Sequence, residues 1–132
     1  MENRNGNGKL RVYCEEYNKP PYVSGNWVPK MIEIAGGTGI AIEGLPSYTL
    51  PLEQVQDFNP DCIILSWCNM GRKLDKSKEL FYKRKGWQEL EAVQKGRVFP
   101  INDSLLNRPT PRLVHGAGRL AEILDEVRLG LL

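Results

Sequence analysis

Apolar positions along the chain fall into two alternating periods. Leu10, Val12 and Cys14 alternate with charged neighbours over Lys9–Tyr17, which predicts a strand. Lys19-Pro20-Pro21 then interrupts regular structure. From Trp27 to Ala35, the residues Trp27, Val28, Met31, Ile32 and Ala35 recur at helical spacing, and Gly36-Gly37 closes that helix. A short strand is expected over Gly39–Glu43. A short helix follows over Leu50–Phe58, with Pro51 near its start and Asn59-Pro60 at its end. Asp61–Trp67 is almost continuously apolar, as in a parallel strand covered on both faces. Leu74–Gln94 reads as two helices separated at Gly86, and Arg97–Ile101 as a further strand. Pro109–Leu132 is the last helix, with Leu113, Leu120, Leu124 and Val127 forming its apolar stripe.

Strands alternating with helices at this spacing predict an α/β fold: a three-layer α/β/α, Rossmann-like lobe on a mainly parallel sheet of about four strands. The 132 residues suit one domain. Met1–Gly8, polar and glycine-rich, reads as a flexible leader, and residues 9–132 as a single lobe. Eighteen Lys and Arg against sixteen Asp and Glu leave a net charge of +2, so no nucleic-acid partner is expected. No stretch approaches the roughly 20 apolar residues of a membrane-spanning helix. Cys14, Cys62 and Cys68 form no CxxC pair, so free thiols are expected and no metal site.

Catalytic signatures are sparse. Gly36-Gly37-Thr38-Gly39 has no GK[ST] after it, which removes the P-loop. Gly116-Ala117-Gly118 with Ala121 fits GxGxxA, but only eleven residues follow Ala121, too few for a dinucleotide fold. Its small residues are instead expected to let the last helix pack closely on the sheet. His115 is the single histidine, and it reads as an ordinary helix residue. A cobalt-ligating DxHxxG motif would need an Asp where Leu113 stands. No pair of carboxylates stands at catalytic spacing, so no catalytic residue and no cofactor is assigned.

Binding chemistry is better placed. In an open α/β sheet, ligands bind outside the carboxyl ends of the strands. That rule gathers Pro20–Trp27, Ser66–Arg72 and Asn102–Arg108 on one rim. There Trp27 is either an aromatic face or a core residue, and Arg108 either a charge-assisted donor or a solvated helix-start residue.

Four segments also carry a resemblance: Pro21-Tyr22-Val23-Ser24-Gly25-Asn26-Trp27-Val28-Pro29 running into Ile34-Ala35-Gly36-Gly37; Glu53-Gln54-Val55 followed by Asn59-Pro60-Asp61; Trp87–Val93 with Gly96-Arg97-Val98; and Arg108-Pro109-Thr110-Pro111-Arg112. In series they resemble the C-terminal lobe of the class III periplasmic-binding-protein-like family, which serves vitamin B12 and ferric siderophore ABC importers. The cobalamin-binding branch is the most similar. The resemblance implies a non-catalytic substrate-binding lobe for a small-molecule metal complex. A corrinoid such as vitamin B12 is the favoured ligand and a ferric siderophore the alternative.

Carried over by residue, the resemblance implies ligand contacts at Tyr22, Trp27, Cys68, Asn69 and Arg108. It also implies that Glu53 docks onto an ABC permease. An iron complex would lean on Arg72, Arg108 and Arg112. The N-terminal lobe that completes the clamp is expected from another polypeptide or a second copy. Such an excised lobe would work in the periplasm or outside the cytoplasm; a chain natively starting at Met1 would be cytoplasmic. The reading from another class is an intracellular sensor or enzyme reusing the fold, for which a depressed Cys68 thiol pKa would speak.

Overall fold

The computed structural model describes residues 9–68 and 73–130. Its strands are β1 (Leu10–Tyr17), β2 (Tyr22–Val23), β3 (Gly37–Gly39), β4 (Tyr48–Thr49), β5 (Cys62–Leu65) and β6 (Val98–Pro100). Its α-helices are α1 (Val28–Ile34), α2 (Leu52–Phe58), α3 (Leu74–Tyr82), α4 (Glu91–Gln94) and α5 (Leu113–Arg128), with 3₁₀ turns at Trp87–Glu89 and Asp103–Leu105.

Three neighbouring strands are parallel: β1 pairs with β5, and β5 with β6 at the sheet's edge. The other edge of β1 is shared. Val12 pairs with Cys62 on one side and Gly39 on the other, and Glu15 likewise with Leu65 and Val23. So β3 runs parallel along the first half of that edge, and β2 runs antiparallel along the second half with β4 beyond it. Six strands thus stand where the pattern predicted about four. The two-residue strands β2 and β4 are too short to carry a period.

Alternation along β1 and β5 splits the core into two layers. Leu10, Val12, Cys14, Cys62 and Ile64 pack with Met31 and Ile32 of α1 and with Leu120, Ile123, Leu124 and Val127 of α5. Tyr13, Ile63 and Leu65 face the opposite way, onto Val55 of α2, Phe81 of α3, Trp87, and Ala92 and Val93 of α4. All four residues of β5 are buried, as its unbroken apolar run required.

Helix ends follow local chemistry. α1 stops at Gly36, whose φ of +101° a β-carbon would resist, and α2 stops at left-handed Asn59 before Pro60. Three boundaries differ from the sequence reading. The strand expected over Gly39–Glu43 lies instead at Gly37–Gly39, because Leu10 and Arg11 take Gly37 and Thr38 as partners. The helix expected from Pro109 begins at Leu113, after two prolines that donate no backbone hydrogen bond. The stretch Leu74–Gln94 ends in two short turns rather than a second long helix, since Gly86 sits at φ +92°. The Met1–Gly8 leader reading lies outside the described residues.

Cys14, Cys62 and Cys68 are free thiols. Burial pushes the Cys14 thiol from 9.0 up to about 12 and raises that of Cys62 above its ordinary value. A thiol that ionises more readily in the unfolded chain favours unfolding as the pH rises. Its stabilising contribution is therefore complete below about pH 9 and is lost as the pH climbs toward the folded value. Urea titrations from pH 8 to 10.5 should show a falling midpoint, and Cys14→Ala should flatten that fall.

Candidate functional site

Three connections leave the carboxyl edge of the parallel strands: residues 18–27 after β1, 66–68 after β5 and 101–112 after β6. Side chains tie them into one rim. Asn107 accepts from Ser66 Oγ at 3.0 Å and donates through Nδ2 to the Ser66 carbonyl at 2.7 Å, joining the loops after β5 and β6. The same Nδ2 also lies 3.6 Å from Cys68 Sγ. The Trp27 indole N–H donates to the Leu106 carbonyl at 2.6 Å, joining the start of α1 to the loop after β6. Glu16 accepts from Ser47 Oγ at 2.9 Å, and Ser47 Oγ accepts the Gly25 N–H at 3.0 Å. Only glycine fits at Gly25, where a β-carbon would collide with the backbone of Leu45 to Ser47.

Beneath this rim is a buried charge. Glu15 is 0% exposed and points to the α2–α4 side of the sheet. Its carboxylate accepts from Tyr13 Oη at 2.6 Å and Trp67 Nε1 at 2.9 Å. It also accepts a fork of two bonds from Arg84, at 2.8 and 2.7 Å. Arg84 Nη2 donates as well to Asn18 Oδ1 at 2.7 Å, and the guanidinium stacks 4.7 Å from the Trp87 ring and 5.0 Å from Phe81. Every lone pair of the carboxylate is directed at a donor, which is what makes a buried ion pair tolerable. Burial, and then the Glu15 charge, hold the Tyr13 phenol well above its ordinary value, so it remains a donor.

The expected site residues separate into groups. Tyr22 is half-buried in β2 and meets Tyr17 edge-on, with ring centroids 6.1 Å apart. Trp27 is half-buried and packs on the α1–α5 core, so the structural reading of this residue accounts for its indole N–H. Cys68 is half-buried beside Asn107. Arg108 is 64% exposed and lies 4.0 Å from Asp103, a loose pair that leaves its charge largely available. Glu53 is exposed in the first turn of α2. Asn69, and Arg72 with it, lies outside the described residues.

Burial, followed by the Glu16 charge, raises the Cys68 thiol, so the depressed pKa that a reactive cysteine would need is not what this loop produces. His115 is exposed on α5, in keeping with an ordinary helix residue. Gly116 does serve close packing, but against the Leu105 carbonyl rather than the sheet, while Gly118 faces open space. Among the described residues, no group of His, Cys, Asp and Glu could hold a metal ion, and no helix is long and apolar enough to cross a membrane.

Three cross-tied loops thus stand at the carboxyl edge of the parallel strands. A family model described as periplasmic binding protein matches residues 4–105. The chain belongs to the periplasmic binding protein family. Among relatives in this family, the vitamin B12-binding protein of Vibrio cholerae is 27% identical over 122 residues, which is 89% of this chain and 41% of that protein. A crystal structure of the V. cholerae protein superposes with a TM-score of 0.68 at 26% identity, covering 91% of this chain and 46% of the other. An uncharacterized ABC transporter substrate-binding lipoprotein of Bacillus subtilis is 33% identical over 70 residues, 53% of this chain and 20% of its own length. A haem complex from S. aureus shares the fold, with a TM-score of 0.70 at 17% identity, over 88% of this chain and 47% of that one. The chain thus spans less than half the length of the curated relatives it matches.

Sequence reasoning put Asn107 on the rim only as one position of Asn102–Arg108, and gave no role to Glu15 or Arg84. Only Glu15 left a signal, as a carboxylate inside a strand whose neighbour is buried on both faces. Arg84 and Asn107 meet their partners across sequence separations of 69 and 41 residues, which no local pattern encodes.

Proposed function

We propose that this chain is the C-terminal ligand-binding lobe of an ABC importer's substrate-binding protein, working outside the cytoplasm, with residues 9–132 as one lobe. The ligand is a small-molecule metal complex held between this rim and a second lobe, supplied by another polypeptide or a second copy. A corrinoid is favoured, and no cofactor is assigned beyond that ligand. The observation that carries the reading is the tied rim itself. Its described residues are already tied to one another by hydrogen bonds, so binding spends little on ordering those positions.

The Tyr17–Tyr22 pair supports a flat, largely apolar ligand. Tyr17 is 48% exposed for an aromatic ring, and the two rings together present an edge and a face. Contacts are proposed at Tyr22, Cys68, Asn69 and Arg108, with Trp27 acting mainly by holding the loop after β6. Glu53, exposed and at the start of α2, is proposed to meet cationic residues of the permease, where a rim charge chiefly sets orientation and on-rate. A ferric siderophore is the second reading, supported by the available charge of Arg108 and calling for Arg112 beside it.

Titration with cyanocobalamin, followed by tryptophan fluorescence and by colour retained on desalting, tests this. Saturable binding is expected, weakened about tenfold by Tyr22→Ala, the loss of one aromatic contact. No binding of cyanocobalamin, with saturable binding of an anionic ferric siderophore that Arg108→Ala abolishes, would move the ligand to the iron complex. No binding of either ligand, even with a complementary N-terminal lobe supplied, would overturn the reading.

A further inference from the structure

A cleft of about 600 Å³ opens on the outer side of the rim's first loop, between Asn18–Pro21 and the end of α3 with the residues that follow it. One wall is apolar, made by Pro20, Pro21, Leu80 and Trp87. Its charged lining is entirely cationic: Lys19, Lys83 and Arg84. A volume of this size accommodates a small organic molecule.

Arg84 forms a rigid floor. Glu15 and Asn18 occupy three of its N–H groups, and a guanidinium has five, so two remain to be offered. Its aromatic stacking and bidentate pair prevent it from turning away. Because Glu15 balances Arg84, the cleft's net charge comes from the two lysines at its mouth. Both are exposed, and Lys83 reaches only a solvent-screened Glu79 at 3.8 Å. An apolar wall, fixed donors and unbalanced cations together select one ligand chemistry. We propose that this cleft binds an amphiphilic organic anion: a flat apolar body lying on Pro20, Pro21 and Leu80, with a carboxylate, sulfonate or phosphate directed at Arg84, Lys19 and Lys83. The site stands on the chemistry of the cleft alone, apart from the transport reading.

Two dyes with nearly the same body separate the contributions. 8-Anilinonaphthalene-1-sulfonate carries an anion, and N-phenyl-1-naphthylamine does not. Fluorescence titration of the whole chain should give the sulfonate dye about tenfold tighter binding. Lys19→Glu/Lys83→Glu should erase that advantage while leaving the neutral dye's affinity unchanged, since reversing nearby cations removes the electrostatic part only. Leu80→Asp should weaken both dyes. All three positions are exposed, so circular dichroism melts should match the parent and separate a lost site from a lost fold. Equal affinity for the two dyes, or sulfonate binding indifferent to the double charge reversal, would overturn the proposal. Indifference of both dyes to Leu80→Asp would place them elsewhere and overturn it equally.

Discussion

Replacing Arg84 with Met should cost this fold about 3–5 kcal/mol, the range for stranding one partner of a buried ion pair. Glu15 is wholly buried and Arg84 is 13% exposed, so solvent cannot take over the lost interaction. The variant leaves the carboxylate with Tyr13 and Trp67 as donors and a full negative charge beneath the rim. Glu15→Gln/Arg84→Met should recover part of the loss, because an amide keeps the shape and removes the charge. The two positions are in direct contact, so their effects should fail to add by about 0.5–3 kcal/mol. Urea unfolding of the two single variants and the double variant measures this. A loss below about 1 kcal/mol for Arg84→Met would mean that the pair is no more than a surface salt bridge. Function should follow stability here. Arg84 holds Asn18, so the loop after β1 loses an anchor.

The second large effect has opposite signs two residues apart. Gly116→Ala drives a methyl group into the Leu105 carbonyl, and backbone can yield only by moving the loop after β6. Overpacking of this kind costs typically about 1–3 kcal/mol. Gly118→Ala meets nothing within 4 Å on the same helix, so it should gain about 0.5–1 kcal/mol from helix propensity and a less flexible unfolded chain. Thermal melts of the two variants should therefore move in opposite directions. Melts shifted alike would refute the account of α5 packing on Leu105. Because Leu106 accepts from Trp27 and Asn107 bonds Ser66, a displaced Leu105 also loosens the rim, and ligand binding should weaken with it.

Which parts of this were legible beforehand follows from the range of each interaction. Strand β1 and the helices α1 and α5 were visible because their core faces repeat every two residues or every three to four, whereas β5 showed as an unbroken apolar run and α2 by Pro51 and Asn59-Pro60 at its ends. Such periods are written in neighbouring residues. The same patterns set the layer order, since the run Cys62–Leu65 admits no solvent-facing side. Loops at the carboxyl ends of those strands followed from topology, which brought Tyr22, Cys68 and Arg108 to one edge.

Tertiary structure alone decided the rest. β2 and β4 exist because β1 has a free upper edge, and two residues hold no period of their own. The strand at Gly37–Gly39 took its register from Leu10 and Arg11, not from its own composition. Trp27 was readable as an aromatic near the rim, but only the Leu106 carbonyl shows that its N–H is already committed. Arg84 and Asn107 look like ordinary polar residues in one dimension, and Glu15 shows only as a carboxylate inside a strand. Burial and long-range partners turn them into the framework of the site, because a charge or amide removed from water must find its donors and acceptors wherever the fold provides them.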